Sequence, residues 1–334
     1  MPDGKRMTRR GGVHRLAHNR FNLLIALCCA ATLSILAQRG LAQSSQDVDR
    51  AQLMRDQNQS PFGSSPNSTG LDDGHAASSP NDADLGVQEI LKRAETYQPF
   101  SASIACPLYY TSNVALVNSG ERGDLITAPV AGVFYQPRIT QTLYGFADVR
   151  QQLFYYNHYN SFDFGSLDVE AGLTYFLPQF HNLLLRGEYD FNRLTFSDRV
   201  LDEFFTNHSL ILSAEMPFRF SRAHQLSIGG DMNLSIAADH QSPRRNDYEA
   251  YAGYSCFFTR DLSLNAVGRV VVRDYHQNDR TDVSEILSVT ANYRLTNWWS
   301  VSAISTFANS DSNHSVFSYS VVNVGGAMAL AVKF

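Results

Sequence analysis

The last thirteen residues of the chain alternate between two kinds of side chain. One parity holds Val322, Val324, Gly326, Met328, Leu330, Val332 and Phe334, and the other holds only small or polar residues and one Lys. Because successive side chains of a strand point to opposite faces, the segment predicts a strand with one apolar face. A soluble sheet rarely ends on such an unpaired strand, since its exposed edge invites aggregation. In a closed membrane barrel the last strand pairs with the first, and lipid solvates the apolar face.

The same alternation recurs earlier, most clearly in residues 166–177, 183–192, 226–236, 262–273 and 285–293. Alternation by itself is also compatible with a soluble sandwich, whose polar face looks outward. Two further features favour the barrel. The segments run about nine to twelve residues, whereas strands of globular sheets average about five or six and a tilted membrane strand needs about ten. Aromatic pairs such as Phe134-Tyr135, Tyr175-Phe176 and Trp298-Trp299 lie at the segment ends, as expected at a lipid interface.

The connections between these segments alternate between tight turns and longer polar loops. Counting strands between residues 107 and 334 gives about twelve, and an even number places both barrel ends on the periplasmic side. Pro129 within the second strand predicts a bulge or a shifted boundary. The predicted fold is therefore a closed antiparallel transmembrane β-barrel of about twelve strands over residues 101–334. We expect none of the loops to fold inward as a constriction, because they are short.

The residues before the barrel predict three segments. A basic stretch, the apolar run Phe21 to Ala37 and the sequence Gly40-Leu41-Ala42 have the layout of a secretory signal peptide at residues 1–42. Residues 43–83 are rich in Ser, Asn, Asp and Gln, which predicts a disordered periplasmic arm. Residues 84–100 contain apolar residues at helical spacing after Asp84, which predicts a short helix and linker that could gate or plug the barrel.

Charge and cysteine content exclude some partners. Removing residues 1–42 takes away seven basic residues and one acidic residue, so the net charge falls from −5 to about −11. This balance argues against nucleic acid as a partner. Cys106 and Cys256 remain, far apart along the predicted barrel, and we interpret them as incidental rather than as a disulfide.

The final hairpin, YRLTNWWSVSAISTFANSDSN followed by SYSVVNVGGAMALAVKF, resembles the last repeat of the β-barrel porin-2 family. The early Tyr110-Thr111-Ser112-Asn113-Val114 resembles the first strand of that family. The resemblance covers about residues 107–334 and implies an outer-membrane barrel, linked in some members to exopolysaccharide export. The closing Phe334 also resembles the signal that the barrel-assembly machinery recognises, so that machinery and outer-membrane lipid are the expected partners.

Parity predicts a charged, lumen-facing set of side chains: Asp148, Arg150, Asp168, Glu170, Arg186, Glu188, Asp190, Glu215, Asp231, Glu249, Arg269 and Arg273. Eight are acidic and four basic, which favours a conduit for small or oligomeric polar solutes with a mild preference for cations or neutral molecules. The charges could instead pair across strands and stiffen a closed lumen. The alternatives are therefore a structural or adhesive barrel, or an autotransporter-like translocator.

The sequence does not predict an enzyme. A barrel phospholipase needs His and Ser on the same face, whereas His208-Ser209 and His314-Ser315 are adjacent and point to opposite faces of a strand. Asp239-His240 is a single weak match to a barrel protease. No Gly-rich phosphate loop, CxxC or HExxH spacing occurs, so we expect neither a cofactor nor a metal.

Overall fold

The computed structural model describes residues 45–58, 98–196, 199–221, 223–277 and 279–334. The predicted signal peptide and the predicted helix near residues 84–97 lie outside these ranges. One compact unit spans Gln43–Phe334. Among the described residues it contains the helix α1 (Ser45–Asn58), and no helix there is long and apolar enough to cross a membrane. The strands are β1 Phe100–Thr111, β2 Asp124–Thr127, β3 Val130–Tyr135, β4 Leu143–Tyr156, β5 Phe164–Leu177, β6 Leu183–Phe196, β7 Arg199–Arg219, β8 His224–Asp239, β9 Arg245–Phe257, β10 Leu262–Tyr275, β11 Thr281–Arg294, β12 Trp299–Ser312 and β13 Tyr319–Lys333.

The strands close into an antiparallel barrel. Consecutive strands from β3 to β13 pair with each other, and β1 pairs with β13 from Ser101↔Lys333 to Thr111↔Asn323. The segments β2 and β3 both lie between β1 and β4, so together they occupy one position in the barrel. The interruption falls at Ala128-Pro129, where proline has no N–H to donate to the ladder. The barrel therefore has twelve strands, and both the predicted fold and the irregularity at Pro129 are confirmed.

The two ends of the barrel differ. At one end, here called the turn end, short connections join the strands and Phe100 pairs with Phe334 through N–H···O distances of 3.2 and 3.0 Å. Their rings stack with a centroid separation of 5.8 Å. At the opposite end, the loop end, the connections include the twelve residues 112–123. In outer-membrane barrels short turns face the periplasm and longer loops face the exterior.

The two faces of the barrel wall have opposite polarity. Large apolar side chains are exposed on the outward parity of the strands, among them Ile104, Val149, Leu173, Ile228, Val270, Leu287 and Val324. The inward parity carries buried polar residues such as Ser166, Asn192 and Thr306. An apolar belt around the whole molecule is unfavourable in water and favourable in hydrocarbon. Both cysteines lie on the outward parity and are free, so no disulfide crosses the lumen.

Candidate functional site

The twelve predicted charged residues all lie on the lumen parity of their strands. In β4, β5 and β6 they fall in register across the wall: Asp148 is beside Glu170, which is beside Asp190, and Arg150 is beside Asp168. Apolar outward residues such as Val149 and Leu173 alternate with them and are exposed. The face of each charge therefore follows from the strand period, whereas its partner depends on the neighbouring strand.

The β4–β6 wall carries an excess of carboxylates. Its lumen side holds five of the predicted acids and only two of the predicted arginines: Asp148, Asp168, Glu170, Glu188 and Asp190, with Arg150 and Arg186. Arg150 forms an ion pair with Asp148, and Arg186 forms ion pairs with Glu188 and, at 3.6 Å, with Glu170. These pairs occupy both arginines with three of the acids, so Asp168 and Asp190 depend on other groups.

The remaining predicted residues lie on the β7–β10 wall. Tyr251 donates a hydrogen bond to Glu215 at 3.2 Å, and Arg269 lies 3.9 Å from Glu249. Arg273 donates to Ser284, and Asp231 lies directly opposite Glu249 in the neighbouring strand. Within the described ranges, no three His, Cys, Asp or Glu residues are arranged to hold a metal ion.

The helix α1 lies inside the lumen near the loop end. Every residue from Val48 to Arg55 is buried, on all sides of the helix. The predicted disorder of residues 43–83 is therefore wrong for residues 45–58. The segment has no apolar face that would stabilise it as an isolated helix. Inside the lumen, polar side chains of the barrel wall replace water as the hydrogen-bond partners of its charged residues.

Asp49 anchors one side of α1. Its carboxylate accepts hydrogen bonds from Arg245 at 2.6 Å, Arg280 at 2.9 Å and the Tyr275 hydroxyl at 2.7 Å. We call these three residues the arginine cluster. They come from the loop-end termini of β9 and β10 and from the connection before β11. Three donors on one buried carboxylate form a strong, directional contact.

Arg55 anchors the other side of α1, about 1.7 turns further along. Its guanidinium donates to Asp168 at 3.2 Å, and Gln52 donates to Asn192 at 3.2 Å. We call Asp168 and Asp190, with Ser166, Asn192 and Ser209, the carboxylate cluster. All five residues are buried in the β5–β7 wall. The two ends of α1 thus carry opposite charges that match opposite walls.

Apolar contacts complete the seal. Val48, Ala51 and Met54 belong to a buried cluster with aromatic residues of β4, β5 and β7, and Leu53 belongs to a second cluster with Val271 and Ile286. The connection after β1 folds over the helix, where Val114 and Leu116 are buried in the same two clusters. Asn113 holds that loop by bonding to Val117 and Ser320. The expectation that no loop folds inward is therefore wrong.

The direction of α1 follows from its anchors. The arginine cluster lies at the loop-end termini of its strands, whereas Asp168 is the fifth residue of β5 counted from the loop end. Asp168 is therefore about 13 Å from the start of β5, measured along the strand. With ordinary strand tilt, this distance corresponds to about 10 Å along the barrel axis. A helix rises about 9 Å between residues six positions apart. The agreement indicates that α1 runs roughly along the barrel axis, with its amino end toward the loop end.

His208 and Ser209 do not form a catalytic pair. The His208 ring lies on the outward face, with Nδ1 2.5 Å from the Tyr189 hydroxyl. The Ser209 hydroxyl lies on the lumen face and donates to Asp190 at 3.2 Å. The two side chains therefore lie on opposite faces of the strand, as strand geometry predicts for adjacent residues.

Comparison with known proteins identifies the fold. No protein-family model and no curated protein matches the chain. An outer-membrane channel from Pseudomonas putida F1 aligns with a TM-score of 0.50 and 12% identity, over 71% of this chain and 98% of that chain. The translocator domain of the autotransporter NalP from Neisseria meningitidis aligns with a TM-score of 0.41 and 10% identity, over 72% and 90%. A bacterial polysaccharide outer-membrane secretin aligns with a TM-score of 0.40 and 11% identity, over 72% and 100%.

At these identities the likeness establishes fold alone. That fold is the outer-membrane β-barrel, in agreement with the closed twelve-stranded sheet and the apolar outer face. The outer membrane is accordingly where a chain of this fold belongs. The narrower resemblance to the β-barrel porin-2 family stays a prediction.

Proposed function

We propose that this protein is an outer-membrane channel for small or oligomeric polar solutes, polysaccharide included, and that α1 closes it at the loop end. The observation that carries the proposal is how α1 is held. The helix is docked in the lumen through buried ion pairs with two opposite walls. Ion pairs of this kind can be exchanged for water or for a solute, and the apolar contacts of α1 are limited to Val48, Ala51, Leu53 and Met54 within the described residues.

The β7–β10 wall supports a polar conduit. Glu215, Glu249 and Arg269 lie on its lumen side and are only half-buried. Acidic residues outnumber basic ones two to one in the predicted set, which gives the conduit a mild preference for cations or neutral solutes. A structural or adhesive barrel with a permanently closed lumen is the main alternative.

A reversible cross-link tests whether α1 is the gate. Gln52→Cys and Asn192→Cys place two thiols where the native amides touch, in a background with Cys106 and Cys256 replaced by Ala. A short thiol-specific cross-linker that reductant cleaves should abolish conductance in planar bilayers, and reductant should restore stepwise openings. The single variant Gln52→Cys, treated identically, controls for thiol modification.

The outcomes separate the candidate functions. Equal conductance before and after cleavage would show that α1 does not gate the barrel. No conductance in either state would contradict the channel and favour the closed structural barrel.

An autotransporter-like translocator is the second candidate, because α1 occupies the lumen with its amino end toward the loop end. In that case a short epitope inserted before Ser45 would be reached by antibody on intact cells. An epitope that becomes accessible only after the outer membrane is permeabilised would contradict translocation of the amino-terminal segment.

We also propose that the barrel-assembly machinery recognises Phe334. The Phe334→Ala variant loses one stacked ring pair with Phe100, worth about 1 kcal/mol, so refolding of purified protein into detergent should change little. Insertion in cells should fall several-fold if the residue is a recognition signal. The heat-modifiable fraction on gels measures both, and Phe100→Ala, which breaks the same ring pair, is the matched control. Equal loss of insertion in both variants would mean that Phe334 acts through the stacked ring pair alone and is not a recognition signal.

A further inference from the structure

The carboxylate cluster is a candidate ligand site, because a group from outside the barrel wall already fills it. We propose that the cluster binds a guanidinium or primary ammonium group of the solutes that the channel admits, and that Arg55 occupies the same position in the closed state. The proposal rests on the proposed channel function, since it requires α1 to leave.

The cluster is built before any cation enters. Ser166 donates to Asp168 Oδ2 at 3.0 Å, and Asn192 donates to Asp168 Oδ1 at 2.7 Å and to the Ser166 hydroxyl at 3.0 Å. Ser209 donates to Asp190 at 3.2 Å. Neutral donors from three adjacent strands therefore orient both carboxylates, and these donors supply no positive charge. A planar guanidinium or a compact ammonium can supply both charge and hydrogen bonds.

The positive charge comes from α1. Among the described residues, the ion pair of Asp168 is with Arg55, and the Arg55 charge also acts on Asp190. The neighbouring wall arginines form their ion pairs with other acids, Arg150 with Asp148 and Arg186 with Glu188, although the Arg150 charge also acts on Asp168. When α1 leaves, Asp168 loses the cation that contacts it directly and Asp190 loses the nearby Arg55 charge, which is unfavourable unless another cation or water enters.

The arginine cluster does not make the same demand. Arg245 retains Asp247 at 2.9 Å, and Arg280 retains Asp282, whether or not Asp49 is present. Each arginine thus keeps a carboxylate from the barrel itself. This difference between the two anchors identifies the carboxylate cluster as the one that requires a ligand, and it fixes the sign of that ligand as positive.

The test uses the full chain with Arg55→Ala and argininamide as the probe. We expect calorimetry in detergent to show argininamide binding to this variant at least about ten-fold more tightly than to the Arg55→Ala/Asp168→Asn double variant. Tetramethylammonium, a cation without hydrogen-bond donors, should bind at least about ten-fold more weakly than argininamide. Arg55→Ala/Glu215→Gln removes a lumen acid outside the cluster and should retain the binding.

Two results would overturn the site: equal argininamide affinity with and without the Asp168 carboxylate, or equal affinity for the two cations. If Arg55→Ala does not reach the heat-modifiable folded form, Arg55→Gln removes the charge while filling the same space. Binding is measured without conductance, so the two proposals can fail separately. Binding in a barrel that never conducts would contradict the channel, whereas conductance without argininamide binding would contradict the site.

Discussion

Replacing Asp49 with Ala should release α1 from the loop end of the lumen. The carboxylate is shared by Arg245, Arg280 and Tyr275, so its loss removes three charge-assisted or hydroxyl contacts at once. Removing one partner of a buried ion pair costs about 3–5 kcal/mol. We expect the lower end of this range, because Arg245 stays paired with Asp247 and Arg280 with Asp282. Since each 1.4 kcal/mol is a factor of about ten, amide protection of residues 45–58 should fall about 100-fold in hydrogen exchange.

Asp47→Ala is the matched control for this prediction. Asp47 is an acid on the same helix, but it pairs with Arg50 within the helix at 2.9 Å. Such an i,i+3 pair contributes about 0.2–0.5 kcal/mol, so the loss of this pair alone should change protection by less than about three-fold. Equal loss of protection in the two variants would mean that the anchors to the barrel wall do not hold α1. Unchanged protection in Asp49→Ala would mean that the apolar contacts suffice.

Gly325→Val should open the seam where the first and last strands meet. Gly325 pairs with Tyr109, and a Cβ at this position would lie 2.2 Å from the backbone oxygen of Leu108 and 2.6 Å from Cδ1 of the Tyr109 ring. The backbone oxygen cannot move without disturbing the β1–β13 ladder. Overpacking costs about 1–3 kcal/mol, and we expect the upper end, with the heat-modifiable fraction roughly halved.

Gly268→Val provides the comparison. Gly268 lies on the outward parity of β10, and a Cβ there meets nothing within 4 Å. A β-branched residue suits a strand, so this variant should fold as well as the native chain. If both variants lose the compact band on gels equally, the effect of Gly325→Val is not a property of the seam. If neither variant loses the compact band, the β1–β13 ladder adjusts to accommodate the larger side chain, and the prediction is wrong.

The barrel itself could be predicted because its signals are local. The alternation from Val322 to Phe334 and the break at Pro129 each depend on a few consecutive residues, and both appear in the structure as expected. The face of a charge such as Asp168 follows from strand parity in the same way. Strand length was less predictable: β7 runs for 21 residues from Arg199, longer than the about nine to twelve that the alternation indicated, and its pairing with β6 shifts register near Arg199.

A closed β-barrel with an apolar outside and a charged lumen thus follows from the amino-acid order alone, since a period of two is a property of neighbouring residues. Closure of the loop end, and the segment that closes it, depend on contacts that exist only in the folded chain. The sequence of α1 has no amphipathic pattern that would predict a helix. The helix is stabilised instead by contacts with residues far along the chain. Arg55 meets Asp168 across 113 positions, and Arg280 meets Asp49 across 231. Such pairs become visible only when the wall has folded around them.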